Sequence, residues 1–254
     1  MTMNFKNKRI IIFDLDRTLT ESKQPLDAEM SKLLEKLLGK KMVAITSGGP
    51  YKQFEKQFLG SFRAPTELLG KLFLFPTCAS SFYRFDNGNW KNIYFEKLSD
   101  EERVKIISAL KVALAQSNYE PPVKPFGEII EDRESQITFS ALGQQAPMEL
   151  KEKWDPTLEK RQKVITLLMP TLPDYEIQIG GSTSIDVTRK GIDKGYGILQ
   201  IEKHLGIPVA EMVFIGDRLS PGGNDYPVVR TGVQTIAVSG PEETKKVIEQ
   251  IINS

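Results

Sequence analysis

Short runs of apolar residues recur along the chain, and several of them end in polar or glycine-rich loops. Continuous apolar runs of this length are typical of parallel strands that helices cover on both faces. The sequence predicts such strands at residues 10–13, 42–45, 72–75, 212–215 and 233–238. Helices with an apolar face are predicted at residues 28–38, where Asp27 caps the start and Gly39 the end, and at 51–59 and 242–252. The pattern therefore predicts an α/β fold.

The middle of the chain has a different pattern. An Asn87-Gly88 pair predicts a hairpin, and Ser99 with Glu102 forms a capping box that opens a helix reaching residue 116. Strands follow at 128–133, 136–142, 175–179 and 183–187, and a helix at 157–168 begins after Asp155. Strands that pair locally between helices are typical of an α+β module. We therefore predict that residues 1–85 and 189–254 form one core and that 86–188 form an inserted cap domain.

Composition excludes several classes of function. The 254 residues contain 34 Lys and Arg against 33 Asp and Glu, so no overall field attracts nucleic acid or an anionic membrane. A single cysteine, Cys78, excludes a disulfide framework, and the single histidine, His204, argues against a histidine triad. No apolar run approaches the roughly 20 residues of a membrane span, and residues 1–8 lack a leader-like segment. We expect a soluble, cytoplasmic protein that binds neither nucleic acid nor membrane.

Two carboxylates, Asp14 and Asp16, follow the first predicted strand directly. Alternation places them on the same side of a continuing strand, at a sheet edge where ligands bind in open α/β folds. Like charges this close repel each other, which indicates either a bound cation or one carboxyl that stays protonated for acid catalysis. A solvated turn at the strand end is the simpler interpretation, because Asp is common in turns.

Three further loops carry candidate chemistry. Ser47 and two glycines follow the second strand and leave room for a phosphate, although a plain glycine-rich loop has the same composition. Lys194 lies among glycines at a helix start, where most lysines are only solvated. Asp217, Asn224 and Asp225 share the loop after residues 212–215, and three oxygen donors there can hold Mg²⁺ or merely cap a helix.

The four motifs together resemble those of the haloacid dehalogenase-like phosphotransferases, in their order and spacing. The resemblance implies a Rossmann-like parallel-sheet core, an aspartyl-phosphate intermediate and a Mg²⁺ cofactor. It implies Asp14 as the nucleophile and Asp16 as the acid and base, with Ser47 and Lys194 as phosphoryl contacts. The implied metal ligands are Asp14, the main-chain carbonyl of Asp16, Asp217, Asn224 and Asp225.

Longer motifs resemble the eukaryotic phosphomannomutase family over nearly the whole chain. They are Gly216 to Asp225, Gly180 to Val187 with Gly191 to Lys194, and Glu131 to Arg133. The resemblance implies a sugar phosphate as substrate, the 1- and 6-phosphates of mannose or glucose as the interconverted pair, and hexose 1,6-bisphosphate as activator. It also implies a homodimer through the cap. The implied substrate contacts are Lys23, Arg133, Gln144, Lys151, Ser184 and Asp186.

Several positions depart from that family. Arg17 stands where the family has glycine, and Lys23, Gln144 and Lys151 stand where it has arginines. Arginine binds phosphate through two donors and lysine does not, so a distal phosphate would be held more loosely. Phosphomannomutase-like isomerase activity is the first hypothesis, and a sugar-phosphate phosphatase is the alternative. A sugar-phosphate sensor without catalysis is a third possibility.

Overall fold

The computed structural model describes residues 5–254 and divides the chain into two compact units. The first unit contains the chain up to Phe95 together with Asp193–Ser254, and the second contains Glu96–Ile192. Residues 1–4, part of the stretch in which no leader was expected, lie outside the described residues. The predicted boundaries, 85/86 and 188/189, lie ten and four residues earlier than the observed ones, 95/96 and 192/193.

The first unit is built on a seven-stranded sheet. Its strands are β1 (Ile10–Asp14), β2 (Met42–Thr46), β3 (Leu72–Phe75), β4 (Ser81–Asp86), β5 (Asn89–Phe95), β10 (Met212–Gly216) and β11 (Gln234–Ala237). They lie in the order β11-β10-β1-β2-β3-β4-β5; the five from β11 to β3 are parallel, and the β4-β5 hairpin adds two antiparallel strands at the β3 edge. The predicted α/β class is therefore confirmed.

Helices pack on this sheet through apolar side chains. They are α1 (Ala28–Lys40), α2 (Tyr51–Phe54), α3 (Thr66–Leu69), α7 (Lys194–Leu205), α8 (Tyr226–Val229) and α9 (Pro241–Ile252). Asp27 accepts a hydrogen bond from the Met30 main-chain N–H at the start of α1, as predicted. The predicted end of α1 at Gly39 is wrong, because the helix continues to Lys40 and ends where Lys41 turns extended. His204 packs against the rings of Tyr94 and Phe82.

The second unit contains a four-stranded antiparallel sheet in the order β6-β7-β9-β8. Its strands are β6 (Ile130–Asp132), β7 (Ile137–Ser140), β8 (Tyr175–Gly180) and β9 (Ser184–Arg189), and its helices are α4 (Asp100–Gln116), α5 (Met148–Trp154) and α6 (Glu159–Leu168). Apolar side chains from alternate strand positions form a core with α4 and α6. The sheet therefore has one apolar face and one polar face.

Two local predictions for this region need correction. Residues 86–95 were assigned to the cap, but β5 pairs with β4 along a hairpin turned by Asn87 and Gly88, so it belongs to the first sheet. The helix predicted at 157–168 begins at Glu159, because Leu158 adopts a left-handed backbone with φ of 66°. Asp155 nevertheless accepts hydrogen bonds from the Lys160 and Arg161 main-chain N–H groups.

No helix within residues 5–254 combines the length and apolar character needed to cross a membrane.

Candidate active site

The carboxyl ends of three adjacent parallel strands place the predicted residues of the first unit near one another. Asp14 is the last residue of β1, and its register partner in β2 is Thr46, which directly precedes Ser47. On the other side of β1, β10 ends at Gly216, and Asp217 follows. Strand order reverses between β1 and β10, and open α/β sheets bind ligands at such a switch point.

Lys194 connects two of these carboxylates. It is the first residue of α7, whose N-terminus is capped by Asp193 through the Tyr196 main-chain N–H. The Lys194 Nζ atom donates hydrogen bonds to Asp14 Oδ1 and to Asp225 Oδ1, each at 2.5 Å. All three residues are buried, with exposed fractions of 1% for Lys194, 3% for Asp14 and 0% for Asp225. The ammonium therefore holds the carboxylate of β1 against that of the acidic loop.

Burial and neighbouring charges shift the pKa of Asp14, Asp217 and Lys194. Burial raises the pKa of Asp14, and Asp225 and Asp217 raise it further, against the opposing effect of Lys194. Burial also raises the pKa of Asp217, and the Asp225 carboxylate adds to that shift. Burial alone would lower the pKa of Lys194, but the two carboxylates that it contacts raise it. The lysine therefore stays charged, and the carboxylates need more positive charge than it provides.

A divalent cation fits this need. Asp14, Asp217 and Asp225 each offer an oxygen within 4.8 Å of the others. With all three carboxylates ionised, these groups and Lys194 together carry a net charge of about −2, which one Mg²⁺ ion would balance. Asn224 adds a second observation, because its buried Oδ1 atom accepts no hydrogen bond from residues 5–254. Carboxylate and amide oxygens are the donors that hard cations prefer, so the residues present fit the ion.

Gly216 makes room for this arrangement. A Cβ atom at that position would collide with the Asp225 carboxylate and with the Phe214 ring. Asp225 lies close because its Oδ2 atom accepts a hydrogen bond from the Arg218 main-chain N–H at 3.1 Å. With Oδ1 already bonded to Lys194, both oxygens of Asp225 have donors. Asp14 and Asp217 are therefore the stronger candidates for direct contact with a metal, and Asp225 supports them.

Asp16 lies in a different set of contacts. Its carboxylate accepts hydrogen bonds from Lys23, from the main-chain N–H at 2.7 Å and from Nζ at 2.8 Å. Two glutamine amides also donate to it, Gln57 at 3.0 Å and Gln53 at 3.2 Å. Burial would raise the pKa of Asp16, but Lys23 and the hydrogen bonds lower it to about 2. Asp16 is therefore ionised at neutral pH in this arrangement, in the form that accepts a proton.

Arg17 and Arg218 approach Asp217 from two sides. The Nε atoms of Arg17 and Arg218 lie 3.7 Å and 3.6 Å from Asp217 Oδ2. Arg17 has a left-handed backbone with φ of 64°, and so does Lys23 with φ of 61°. The loop after β1 therefore has two basic residues in a backbone conformation that glycine adopts more easily.

In the second unit, the predicted substrate contacts lie on the polar face of the sheet or adjoin it. Asp186 lies beside Thr138 in β7 and Gln178 in β8, and Ser184 occupies the same face. Asp186 Oδ1 accepts hydrogen bonds from Gln136 Nε2 at 2.9 Å and from Thr138 Oγ1 at 2.7 Å. Ser184 Oγ lies 3.0 Å from Ser140 Oγ. The face carries two hydrogen-bonded groups of polar side chains, with hydroxyl, amide and carboxylate functions that suit a polyhydroxylated ligand.

The remaining predicted residues of this unit have intramolecular partners. The Arg133 guanidinium donates to Glu131 Oε2 through Nε at 2.9 Å and Nη2 at 2.5 Å. Gln144 donates its amide to Ser140 Oγ at 2.5 Å, and the buried Lys151 donates from Nζ to the Gln144 main-chain oxygen at 2.7 Å. Of these three predicted contacts, Arg133 alone has a guanidinium, and that guanidinium is already paired with the Glu131 carboxylate.

Several residues near Asp16 in the first unit and near Asp186 in the second were not predicted from the sequence. Gln53 lies in α2, and Gln57 lies in the π-helical segment Glu55–Leu59 that continues it. Their spacing of four residues after the glycine-rich loop places both on one side of a helix. Gln136 and Thr138 alternate with apolar residues, and this period of two identifies the polar face of a strand. Gln178 has a buried Oε1 atom that accepts no hydrogen bond from the described part of the chain, and no sequence pattern singles it out.

Comparison with protein families and sequences gives a consistent result. A model of the eukaryotic phosphomannomutase family matches residues 30–254. The chain is 31% identical over 254 residues to a phosphomannomutase of Encephalitozoon cuniculi, covering 96% of this chain and 94% of the relative. It is 29% identical over 256 residues to a phosphomannomutase of Saccharomyces cerevisiae, covering 98% and 96% of the two chains.

Solved structures show the same fold at lower identity. An IMP-nucleotidase of Plasmodium falciparum superposes with a TM-score of 0.73 at 18% identity, covering 97% of this chain and 68% of the other. The C-terminal domain of a trehalose-6-phosphate phosphatase from Candida albicans gives a TM-score of 0.67 at 16% identity, with 97% and 92% covered. These two likenesses concern the fold alone.

Proposed function

The chain belongs to the eukaryotic phosphomannomutase family, and on that premise we propose that it is a Mg²⁺-dependent phosphotransferase. The proposed reaction interconverts the 1- and 6-phosphates of a hexose, mannose or glucose. The observation that carries the proposal is the buried cluster in which Lys194 bridges Asp14 and Asp225 beside Asp217. It combines a carboxylate nucleophile, a fixed cation and a set of oxygen donors at one sheet edge.

The proposed chemistry uses Asp14 twice. In the cycle Asp14 starts phosphorylated: a hydroxyl oxygen of the hexose monophosphate takes the phosphoryl group, the bond from phosphorus to the Asp14 oxygen breaks, and the ionised Asp16 accepts the hydroxyl proton. The resulting bisphosphate turns over within the site, an Asp14 oxygen attacks its other phosphorus, and the leaving sugar oxygen takes the proton back from Asp16. Lys194 and Ser47 bind the phosphoryl oxygens as they gain charge. The buried position of Lys194 supports this role, because its charge is fixed before the substrate arrives.

Mg²⁺ would be held by Asp14, the Asp16 main-chain carbonyl and Asp217, with Asn224 and Asp225 in or beside its shell. When bound, it would neutralise charge on the transferring phosphoryl group. The net charge of the buried carboxylates and the buried Asn224 oxygen support this assignment.

The second unit is proposed to bind the sugar and the phosphate that does not react. Ser184 and Asp186 would contact sugar hydroxyls, and Arg133 the distal phosphate. The network around Asp186 supports the first part, since its hydroxyl and amide groups offer both donors and acceptors. Hexose 1,6-bisphosphate as activator, a homodimer through the cap and a cytoplasmic location remain predictions.

The variant Asp14→Asn tests this function. The amide has nearly the same shape but lacks the nucleophilic oxygen, so Mg²⁺-dependent turnover of mannose 1-phosphate should fall by at least about a thousandfold. Mass spectrometry of the wild-type protein should detect one phosphoryl group on the peptide that contains Asp14. Asp86→Asn is the matched control, because Asp86 is exposed at the end of β4 and pairs with Lys91. Wild-type turnover by Asp14→Asn would refute the nucleophile assignment.

A sugar-phosphate phosphatase is the second candidate. The observation that favours it is the state of the predicted phosphate contacts in the second unit, where Gln144 carries no charge and Lys151 donates to a main-chain oxygen. After a phosphoryl group has passed to Asp14, a sugar held by fewer guanidinium groups would leave more readily, and water would then hydrolyse the phosphorylated Asp14. Under this function, phosphate released from mannose 1-phosphate would accumulate in solution as inorganic phosphate.

A further inference from the structure

Arg17 occupies a strained position next to the proposed nucleophile and acid. Its φ of 64° lies in the left-handed region, which glycine adopts readily and a long side chain does not. The Arg17 main-chain N–H donates to the Thr20 oxygen at 2.7 Å, so the conformation belongs to a hydrogen-bonded loop. Strain of this kind concentrates at functional sites, where contacts of the side chain offset the free-energy cost of the backbone conformation.

The guanidinium of Arg17 faces the acidic loop. Its Nε atom lies 3.7 Å from Asp217 Oδ2, which is an ion-pair distance but longer than a hydrogen bond. The Arg17 side chain is 40% exposed and that of Asp217 is 12% exposed, so the guanidinium lies on the open side of the carboxylates. An anion that approaches Asp14 and Asp217 from solvent would meet this group.

We propose that Arg17 binds the transferring phosphoryl group of the substrate, a phosphomonoester dianion. This inference rests on the proposed function. Mg²⁺ bound by Asp217 would neutralise the carboxylate that attracts Arg17, and the nearest remaining anion would be the phosphoryl group. A planar guanidinium matches two phosphoryl oxygens at once, a geometry that the ammonium of Lys194 does not offer. Arg17 then adds a cation from the solvent side to the buried one.

A purely structural role makes a different prediction. If Arg17 only pairs with Asp217, it competes with a metal ion for that carboxylate. Removing it would then strengthen Mg²⁺ binding and leave phosphate binding unchanged or stronger. If Arg17 binds the phosphoryl group, removing it weakens the binding of a phosphate analogue, and relief of backbone strain keeps the thermal midpoint at or above that of the wild type.

Calorimetric titration of orthovanadate into the Mg²⁺-loaded full-length chain separates these roles. For Arg17→Gly we expect orthovanadate affinity to fall about tenfold to a hundredfold, the loss of one charge-assisted contact. Arg17→Lys should recover part of the affinity at the cost of the bidentate geometry. Arg9→Gln controls for net charge, since Arg9 lies at the other end of β1 and pairs with Glu211. Glu134→Gly controls for strain relief at another left-handed residue, with φ of 62°.

Wild-type orthovanadate affinity in Arg17→Gly would overturn the inference, and so would a wild-type protein that binds no orthovanadate. Lower affinity in Arg17→Gly with a normal thermal midpoint supports it. The outcome for the proposed function is separate. A wild-type protein that binds orthovanadate through Arg17 but does not turn over a hexose phosphate would refute the function and keep the inference. Normal hexose-phosphate turnover by the wild type, with unchanged orthovanadate binding in Arg17→Gly, would keep the function and refute the inference.

Discussion

Lys194→Met is expected to destabilise the first unit strongly. Methionine has a similar length and no charge, so the variant leaves Asp14 and Asp225 buried without their shared cation. The Lys194 and Asp225 side chains have no exposed surface, and that of Asp14 has 5%. Removing one partner of a buried ion pair costs about 3–5 kcal/mol, and here two carboxylates lose the same partner. We therefore expect a loss near the upper end of that range.

The assay is urea unfolding, followed by circular dichroism in EDTA near neutral pH. Lys245→Met is the matched control, because Lys245 also pairs with several carboxylates, Asp27, Glu29 and Glu242, but these are exposed. Exposed pairs contribute about 1 kcal/mol or less each. A Lys194→Met loss within about 1 kcal/mol of the control would refute the view that the buried cluster depends on this cation.

The dependence on pH and Mg²⁺ gives a second readout of the same variant. Burial raises the pKa of Asp14, and loss of the ammonium removes the main opposing effect. A carboxyl whose pKa is higher in the folded state binds its proton more tightly there, so folding gains stability as pH falls. The deficit of Lys194→Met should therefore shrink between about pH 7.5 and about pH 5.5. Saturating Mg²⁺ should also recover part of it, since the ion binds only the folded site.

Three other predictions concern smaller sets of contacts. Arg161→Met should lower the unfolding free energy by about 3–5 kcal/mol in urea titrations, because Arg161 and its partner Asp155 form a buried ion pair with side chains 1% exposed each. A loss below about 1 kcal/mol would contradict this. Glu102→Gln keeps the helix cap but loses the ion pair with Arg189, whose hydrogen bond holds the pKa of Glu102 at about 2. A carboxyl whose pKa is lowered by folding stabilises the protein at pH values above its unfolded-state pKa. Glu102→Gln should therefore lower the unfolding free energy by less than about 1 kcal/mol near neutral pH, and this loss should vanish as pH falls to about 2. A loss that persists in acid would contradict the prediction. Gln57→Leu removes a donor to Asp16 and should lower kcat about tenfold with KM nearly unchanged, whereas a change in KM alone would assign Gln57 to substrate binding.

The sequence predicted the strand ends of the first unit well, for a physical reason. A continuous apolar run followed by carboxylates has few alternatives to a buried strand that ends at a polar edge. Asp14 therefore ends one strand and Asp217 directly follows its neighbour, as the pattern indicates. Their catalytic and metal-binding roles remain predictions. The joint contact of Lys194 with two carboxylates depends on residues 31 and 180 positions away in the chain, and no local pattern specifies it.

The second unit was less predictable because its contacts are long-range or its elements are short. Helix α5 has seven residues, many of them charged, and gives little periodicity to detect. Arg161 resembles an exposed helix residue in the sequence, yet it is buried and donates to the main-chain oxygens of Gly180 and Gly181 at 2.9 Å. That contact holds the glycine turn that precedes Ser184, and only the tertiary structure brings the two segments together.

The fate of the phosphoryl group tests the central claim most directly. Purified protein would be incubated with mannose 1-phosphate, Mg²⁺ and a trace of hexose 1,6-bisphosphate, and phosphorus would be followed by NMR. Phosphotransfer between the two ends of the sugar predicts a growing 6-phosphate resonance that requires both Mg²⁺ and Asp14. Growth of inorganic phosphate alone would contradict this account and would identify the protein as a phosphatase.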